Sequence, residues 1–229
     1  MNNFFILLFI LISNISFGQK FEFGLSGGYN SSTHTLRTDG ATQIGVSFNT
    51  IGNLQYQVDK YPGYHLKGIL SISKIFSDIS NIKFSSGVGY SSQGATIVTA
   101  NKTKITNNLN YIQLPMLITF SFRKFGFLFG PQLNFLNDIN TTITKSTILS
   151  LNALASNNYF TFEQEDYENR DNSFVFGLEY KVYKDLSASI KYLTSLKNIS
   201  TVPGETWKNK NMEISLSYTL LSKIKWKKI

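Results

Sequence analysis

His34 and His65 are the only imidazoles in the 229 residues, and the chain has no cysteine. Zinc centres draw on clustered cysteine, histidine and carboxylate ligands, and two separated histidines without a thiolate do not make one. The acids concentrate once, at Glu163, Glu165, Asp166, Glu168 and Asp171. Calcium takes several oxygens from one flexible loop, but this stretch lacks the glycine and fixed spacing of an EF-hand and reads as a solvated loop. Nucleophilic catalysis needs a serine or cysteine beside a base that a third group orients. No G-x-S-x-G motif occurs, and no serine, histidine and acid set can be placed. Catalytic, cofactor and metal residues are therefore all assigned as none, and the chain is read as a non-enzyme.

On the polar face of the strands the charged residues are Glu22, Lys67, Lys83, Glu179, Lys181, Lys191 and Glu213. Four positive and three negative charges on one face nearly balance, as ions taken out of water require. Three of them form the sharpest expectation. If Glu179 lies opposite Ser189 and diagonal to Lys191, and Glu213 approaches Lys191 from the next strand, then Glu179, Lys191 and Glu213 make a stabilising network on the inner face.

That geometry rests on the hairpin Ser173 to Leu193. Its first arm alternates Phe174, Phe176, Leu178, Tyr180 and Val182 with Ser173, Val175, Gly177, Glu179 and Lys181. The second sets Leu186, Ala188, Ile190 and Tyr192 against Ser187, Ser189 and Lys191. A period of two is the strand signal, because successive side chains leave opposite faces. Parity is kept between the arms, which demands an odd loop, Tyr183 to Asp185, with Val182 opposite Leu186.

The same alternation marks Phe21 to Asn30, Tyr64 to Phe76, Asn81 to Gln93, Asn110 to Phe122, Phe125 to Asn137 and Asn211 to Leu220. Eight strands result. Only Arg123 and Lys124 separate the fourth from the fifth, so Phe122 faces Phe125 and the apolar parity switches. In that register Pro115 lies opposite Gln132 and Pro131 opposite Met116. Proline donates no hydrogen bond, so Pro115 and Pro131 are expected to interrupt the ladder at one level, either as a bend that helps the sheet curve or as a weak seam used for docking or lateral opening.

Connections between strands alternate long and short, so all tight turns fall at one end of an up-and-down barrel and all long loops at the other. Outer-membrane barrels have that asymmetry. The apolar face holds no mid-strand lysine or arginine, with Lys74 near a strand end where its stem can snorkel, and the opposite face is mostly small and polar. The fold expected is all-β, an eight-stranded antiparallel up-and-down transmembrane β-barrel over residues 19–220 with its greasy face toward lipid. The stretch 31–63 is taken as a loop with a small hairpin, two further barrel strands being the alternative. An eight-stranded interior is filled by side chains, so no open channel is expected.

Residues 1–18, with an apolar run Phe4 to Ile12 ahead of Ser16 and Gly18, read as a signal peptide, although no lysine or arginine precedes the run. Export and scattered basic residues exclude nucleic acid as the partner implied by a net charge of +8. Anionic head groups suit that charge better. In the tail 221–229, Lys223, Lys225, Lys227 and Lys228 interleave with Ile224 and Trp226, either as a solvated strand end or as an interfacial anchor.

The run NLNYIQLPMLITFSFRKFGFLFGPQLNFL (Asn108 to Leu136), followed by FGLEYKVYKDLSASIKYLTSLKNIS (Phe176 to Ser200) and NKNMEISLSYTL (Asn209 to Leu220), resembles the PorT-type outer-membrane β-barrel family of Bacteroidetes. Its most specific parts are Tyr111-Ile112-Gln113-Leu114-Pro115, Gly130-Pro131 and Tyr192 to Ile199. The resemblance implies a Gram-negative outer membrane and, more weakly, a link to type IX protein secretion. The continuation past Leu220 departs from it, since such barrels commonly end on an aromatic residue. The partners expected are outer-membrane lipid and lipopolysaccharide, and proteins met through loops 31–63 and 138–172. A small-ligand or lipid-binding barrel is the alternative function.

Overall fold

The computed structural model describes residues 19–38, 41–44, 48–51, 54–77, 79–99, 102–144 and 162–222. The signal peptide at 1–18, the middle of the second long loop and the tail beyond Ser222 lie outside the described residues.

Among the described residues ten strands occur in order: β1 (Gln19–Thr38), β2 (Ala41–Ile44), β3 (Phe48–Ile51), β4 (Leu54–Ser77), β5 (Ser80–Thr99), β6 (Lys104–Phe122), β7 (Phe125–Thr144), β8 (Arg170–Lys181), β9 (Leu186–Ser195) and β10 (Glu205–Ser222). Eight of them close a ring of antiparallel neighbours. β1 pairs with β10 on one side and with β4 on the other, so no edge is left open in the ring. β2 and β3 form a hairpin on the upper part of β4 and do not enter the ring, which answers the choice between eight and ten barrel strands. The only helix among the described residues is the single turn Gln164–Asp166.

Both hairpin registers follow from side-chain parity. Phe122 pairs with Phe125 across the two-residue turn, where Arg123 takes a positive φ of 54°. In the β8–β9 hairpin Glu179 pairs with Ser189, and Val182 N–H donates to the Leu186 carbonyl at 2.9 Å. The tight turns β4–β5, β6–β7 and β8–β9 share one rim with the start of β1 and the end of β10. The long connections share the other.

From the tight-turn rim upward, the outer surface is a band of exposed apolar side chains. It includes Leu66 and Leu70 on β4, Val88 on β5, Phe120 and Phe127 on β6 and β7, Leu178 on β8 and Leu216 on β10. On β4 the band runs from Tyr64 to Phe76, and a strand of that length tilted by about 40° covers about 25–30 Å, the height of the apolar belt of an outer-membrane barrel. Lys74 stands at the lower edge with its Nζ 5.6 Å from the Phe76 ring, the snorkelled position that its place near a strand end implies.

The strands run well past the band, and here several expected boundaries need correction. Part of the stretches taken as loops at 31–63 and 138–172, and of the gaps between the other expected strands, is strand: β1 continues to Thr38, β4 begins at Leu54, β5 runs to Thr99 and β6 starts at Lys104, β7 continues to Thr144 and β10 begins at Glu205. The reason is a change in which face is apolar. Above the band the inward positions become greasy, with Tyr56, Ile97, Ile105, Leu109, Tyr111 and Trp207 all buried. Alternation continues, but its apolar parity is reversed.

Candidate functional site in the barrel lumen

The lumen is filled in tiers. In the lower tier Glu213 on β10 is fully buried and accepts two hydrogen bonds from Lys67 Nζ, at 3.0 and 2.9 Å. Lys191 Nζ on β9 lies 3.6 Å from the same carboxylate and donates to Ser215 Oγ at 3.3 Å. Lys67 pairs along β1 with Ser26, and Glu213 with Asn30, so the ion pair spans the strand between them. His65, beside Lys67, hydrogen-bonds Asn30 Oδ1 at 2.6 Å and Ser215 Oγ at 2.9 Å. Two ammonium groups around one carboxylate inside a lipid-clad barrel are tolerable only because each has such partners.

Of the three residues expected to form one network, the structure brings Lys191 and Glu213 together and leaves Glu179 out. Glu179 accepts from Lys83 at 2.7 Å, across the lumen on β5. Its β8–β9 register is the one expected, but the Lys191 side chain turns toward β10, and a lysine from the far wall reaches the carboxylate instead. Between the two ion sets a cavity of about 80 Å³ is bordered by Lys83, Glu179 and Lys191, room for a few waters only. On the β6 to β9 side, Leu128, Val175 and Leu193 form a small apolar cluster with Leu117 against it.

Pro115 and Pro131 stand at this height. Pro115 pairs with Gln132 as its spacing implies, and the ladder resumes at Ile118–Phe129, with Met116 and Leu117 unpaired to β7. On its other edge β6 also skips, between Ser86–Met116 and Gly89–Gln113. Gly130 adopts φ 155°, and a Cβ there would stand 2.1 Å from the Met116 carbonyl oxygen. The two chains approach so closely that only glycine fits.

The middle tier is a layer of amides and one acid. Asp171 was expected in a solvated acidic loop; it is instead buried on β8, its Oδ2 accepting from Asn209 at 3.1 Å, Ser173 at 3.3 Å and Asn134 at 3.4 Å. Asp171 Oδ1, Asn209 Oδ1 and both polar atoms of Gln113 and Asn211 are buried without a protein partner, the type of group that ordered water satisfies.

The upper tier is an apolar plug. Trp207 is fully buried, with ring centroids 4.3 Å from Phe162 and 5.0 Å from Tyr167. His34, expected in a loop, lies on β1 against the edge of Tyr167 at 6.2 Å, and burial drives its imidazole down to about 4. The segment 162–169 is tied across the mouth by Glu168 N–H to the Ile199 carbonyl at 2.8 Å and Thr201 N–H to the Asp166 carbonyl at 3.0 Å. Glu163 and Asp166 close a capping box on their own helical turn, and no group of three potential metal ligands occurs among the described residues.

Sequence reasoning missed Lys67 as the main partner of Glu213, Lys83 as that of Glu179, and the plug. Signals existed for the plug in the odd-numbered Ile105, Leu109 and Tyr111 of β6, opposite in parity to Ile112 to Phe122.

A family model described as outer membrane protein beta-barrel domain matches residues 14–201. No curated protein sequence matches the chain. Among solved structures it is similar to Neisserial surface protein A, at 10% identity and TM-score 0.42 over 86% of this chain and 97% of that one. It is also similar to OprG of Pseudomonas aeruginosa, at 13% identity and TM-score 0.34 over 89% and 96%. A third is the attachment invasion locus protein Ail of Yersinia pestis in complex with the heparin analogue sucrose octasulfate, at 8% identity and TM-score 0.26 over 88% and 99%. At such identities and scores the likenesses say nothing about what this chain binds.

Proposed function

This chain belongs to the outer membrane protein β-barrel domain family, and from that premise we propose a closed, non-enzymatic barrel that acts through protein contacts. It resides in the outer membrane with membrane lipid around its apolar band; residues 1–18 serve as its export signal, and lipopolysaccharide belongs to its surroundings. The tight-turn rim faces the periplasm and the long-loop rim the exterior, the usual disposition of such barrels.

The observation that carries the reading is the doubly filled lumen, with the Lys67–Glu213–Lys191 ions below and the Trp207, Tyr167 and Phe162 plug above. A solute would have to break buried ion pairs and displace an aromatic core. The refolded full chain in planar bilayers is expected to stay at background conductance; stepwise openings would overturn the closed-barrel reading. Between the two ion sets the lumen leaves only the cavity of about 80 Å³, far below the few hundred Å³ of small-molecule sites.

With the interior closed, the surfaces left for function are the rims. The hairpin β2–β3 and the segment 162–169 stand at the long-loop rim, within the two loop regions named as partner surfaces. The resemblance to PorT-type barrels supports a place in type IX protein secretion. Crosslinking and mass spectrometry in native outer membranes should recover a protein partner, and normal cargo secretion by a deletion strain would remove the secretion link.

A further inference from the structure

The tight-turn rim carries a feature that the closed-barrel reading does not use. Inside the ring at this end is a vestibule of about 370 Å³ with serine-rich, polar walls. Among the described residues, six cations border it, Lys20, Lys83, Arg123, Lys124, Lys181 and Lys184, against the three acids Glu22, Glu179 and Asp185. Two of the cations are already matched, Lys20 by Glu22 at 2.5 Å and Lys83 by Glu179 at 2.7 Å. Among the described residues, Arg123, Lys124, Lys181 and Lys184 have no carboxylate within 4.0 Å. The opposite rim carries both signs, with Glu163, Glu165, Asp166 and Glu168 alongside Lys102, Lys104, Lys197 and Lys208.

We propose that this rim is a docking surface for an extended acidic peptide segment of a periplasmic protein. The unmatched cations sit on two separate turns, β6–β7 and β8–β9, rather than converging on one point as donors around a compact phosphate do. Charges spaced along a chain fit charges spaced around a rim. The vestibule faces the lumen axis, whereas head groups of the surrounding lipid line up outside the strands, and its polar walls offer nothing to an acyl chain. Four uncompensated cations also raise the encounter rate with an anionic partner. The periplasmic address of that partner rests on the orientation proposed above, while the binding chemistry does not.

The test uses the full chain in phosphatidylcholine nanodiscs and a fluorescent glutamate-rich peptide, read by anisotropy. Saturable binding is expected, absent for a glutamine peptide of equal length, and weakened about tenfold by Lys124→Glu with Lys184→Glu on the exposed turns. Lys197→Glu with Lys208→Glu, at the other rim, should leave it unchanged. No binding, or equal binding by both double variants, overturns the proposal. Loss of peptide binding when phosphatidylglycerol is added to the disc assigns the rim to lipid head groups and overturns it too. Separately, Lys184→Cys should resist an impermeant maleimide on intact cells; labelling there overturns the periplasmic address even where the peptide binds in nanodiscs.

Discussion

The lower and upper halves of this barrel are built on opposite plans from the same strands. Along β10, the even positions Met212, Ile214, Leu216, Tyr218 and Leu220 are exposed apolar residues, and inward Glu213 and Ser215 are buried and polar. A few residues above, inward Trp207 is fully buried and outward Thr206 is exposed. Strand direction, pairing and parity do not change between the two; only the solvent outside does. Where lipid surrounds the wall, greasy groups face out and ions are satisfied within. Where water surrounds it, the hydrophobic effect turns the greasy groups inward, as in a soluble barrel. One ladder of backbone hydrogen bonds thus serves two environments.

The comparison is tested most severely inside each half. Glu213→Ala leaves Lys67 and Lys191 buried without a carboxylate and should cost about 3–5 kcal/mol in urea refolding from vesicles. Trp207→Ala should cost a similar ~3–5 kcal/mol, but with another signature: faster amide exchange over Lys104 to Tyr111 and unchanged protection over Ile112 to Phe122. Uniform loss in both segments would mean the halves are one cooperative core.

A substitution that sets the environments side by side comes next. Leu216→Arg, in the band, should destabilise by about 2–4 kcal/mol, whereas Thr206→Arg on the same face should stay within about 0.5 kcal/mol. Equal costs would break the comparison.

The upper half should also lose stability in acid. His34 titrates near 4 when folded and near 6.5 when unfolded. The unfolded chain therefore binds the extra proton between those values, and stability falls as pH drops through that window, by roughly 3 kcal/mol at most. His34→Leu should reduce the acid loss; a profile identical to the parent would show that His34 does not contribute to it. Among the inward substitutions the smallest effect expected is that of Lys191→Met, about 1 kcal/mol, because Lys67 keeps both bonds to Glu213 while Lys191 stands 3.6 Å away. A larger loss for Lys191→Met than for Lys67→Met would reverse the roles assigned to the two lysines.

The lower half was legible because its rule is simple. Greasy residues on one parity show the strands in the band, and a two-residue turn at Arg123 or an odd loop at Tyr183 to Asp185 sets the register. Pro115 could be placed against Gln132 by counting alone. The upper half was not legible by the same rule, since Ile105, Leu109, Tyr111 and Trp207 occupy the parity that the band reserves for small polar groups. Side-chain choices across the lumen were beyond counting as well. Glu179 meets Lys83 and Glu213 meets Lys67 between strands that are not neighbours, and such meetings depend on the stagger of the closed ring rather than on any one hairpin.

The absence of cysteine from the chain makes the reversal directly measurable. Single cysteines placed in turn from Glu205 to Leu220, each spin-labelled in lipid vesicles, report collision with oxygen from the bilayer or with a water-soluble nickel chelate. High oxygen collision is predicted at every even position from Met212 upward in number. Nickel access is predicted at outward Thr206 and Lys208, with neither reagent reaching Trp207. Oxygen-dominated signals continuing to Thr206, or lipid contact at the odd positions, would contradict the two-plan barrel.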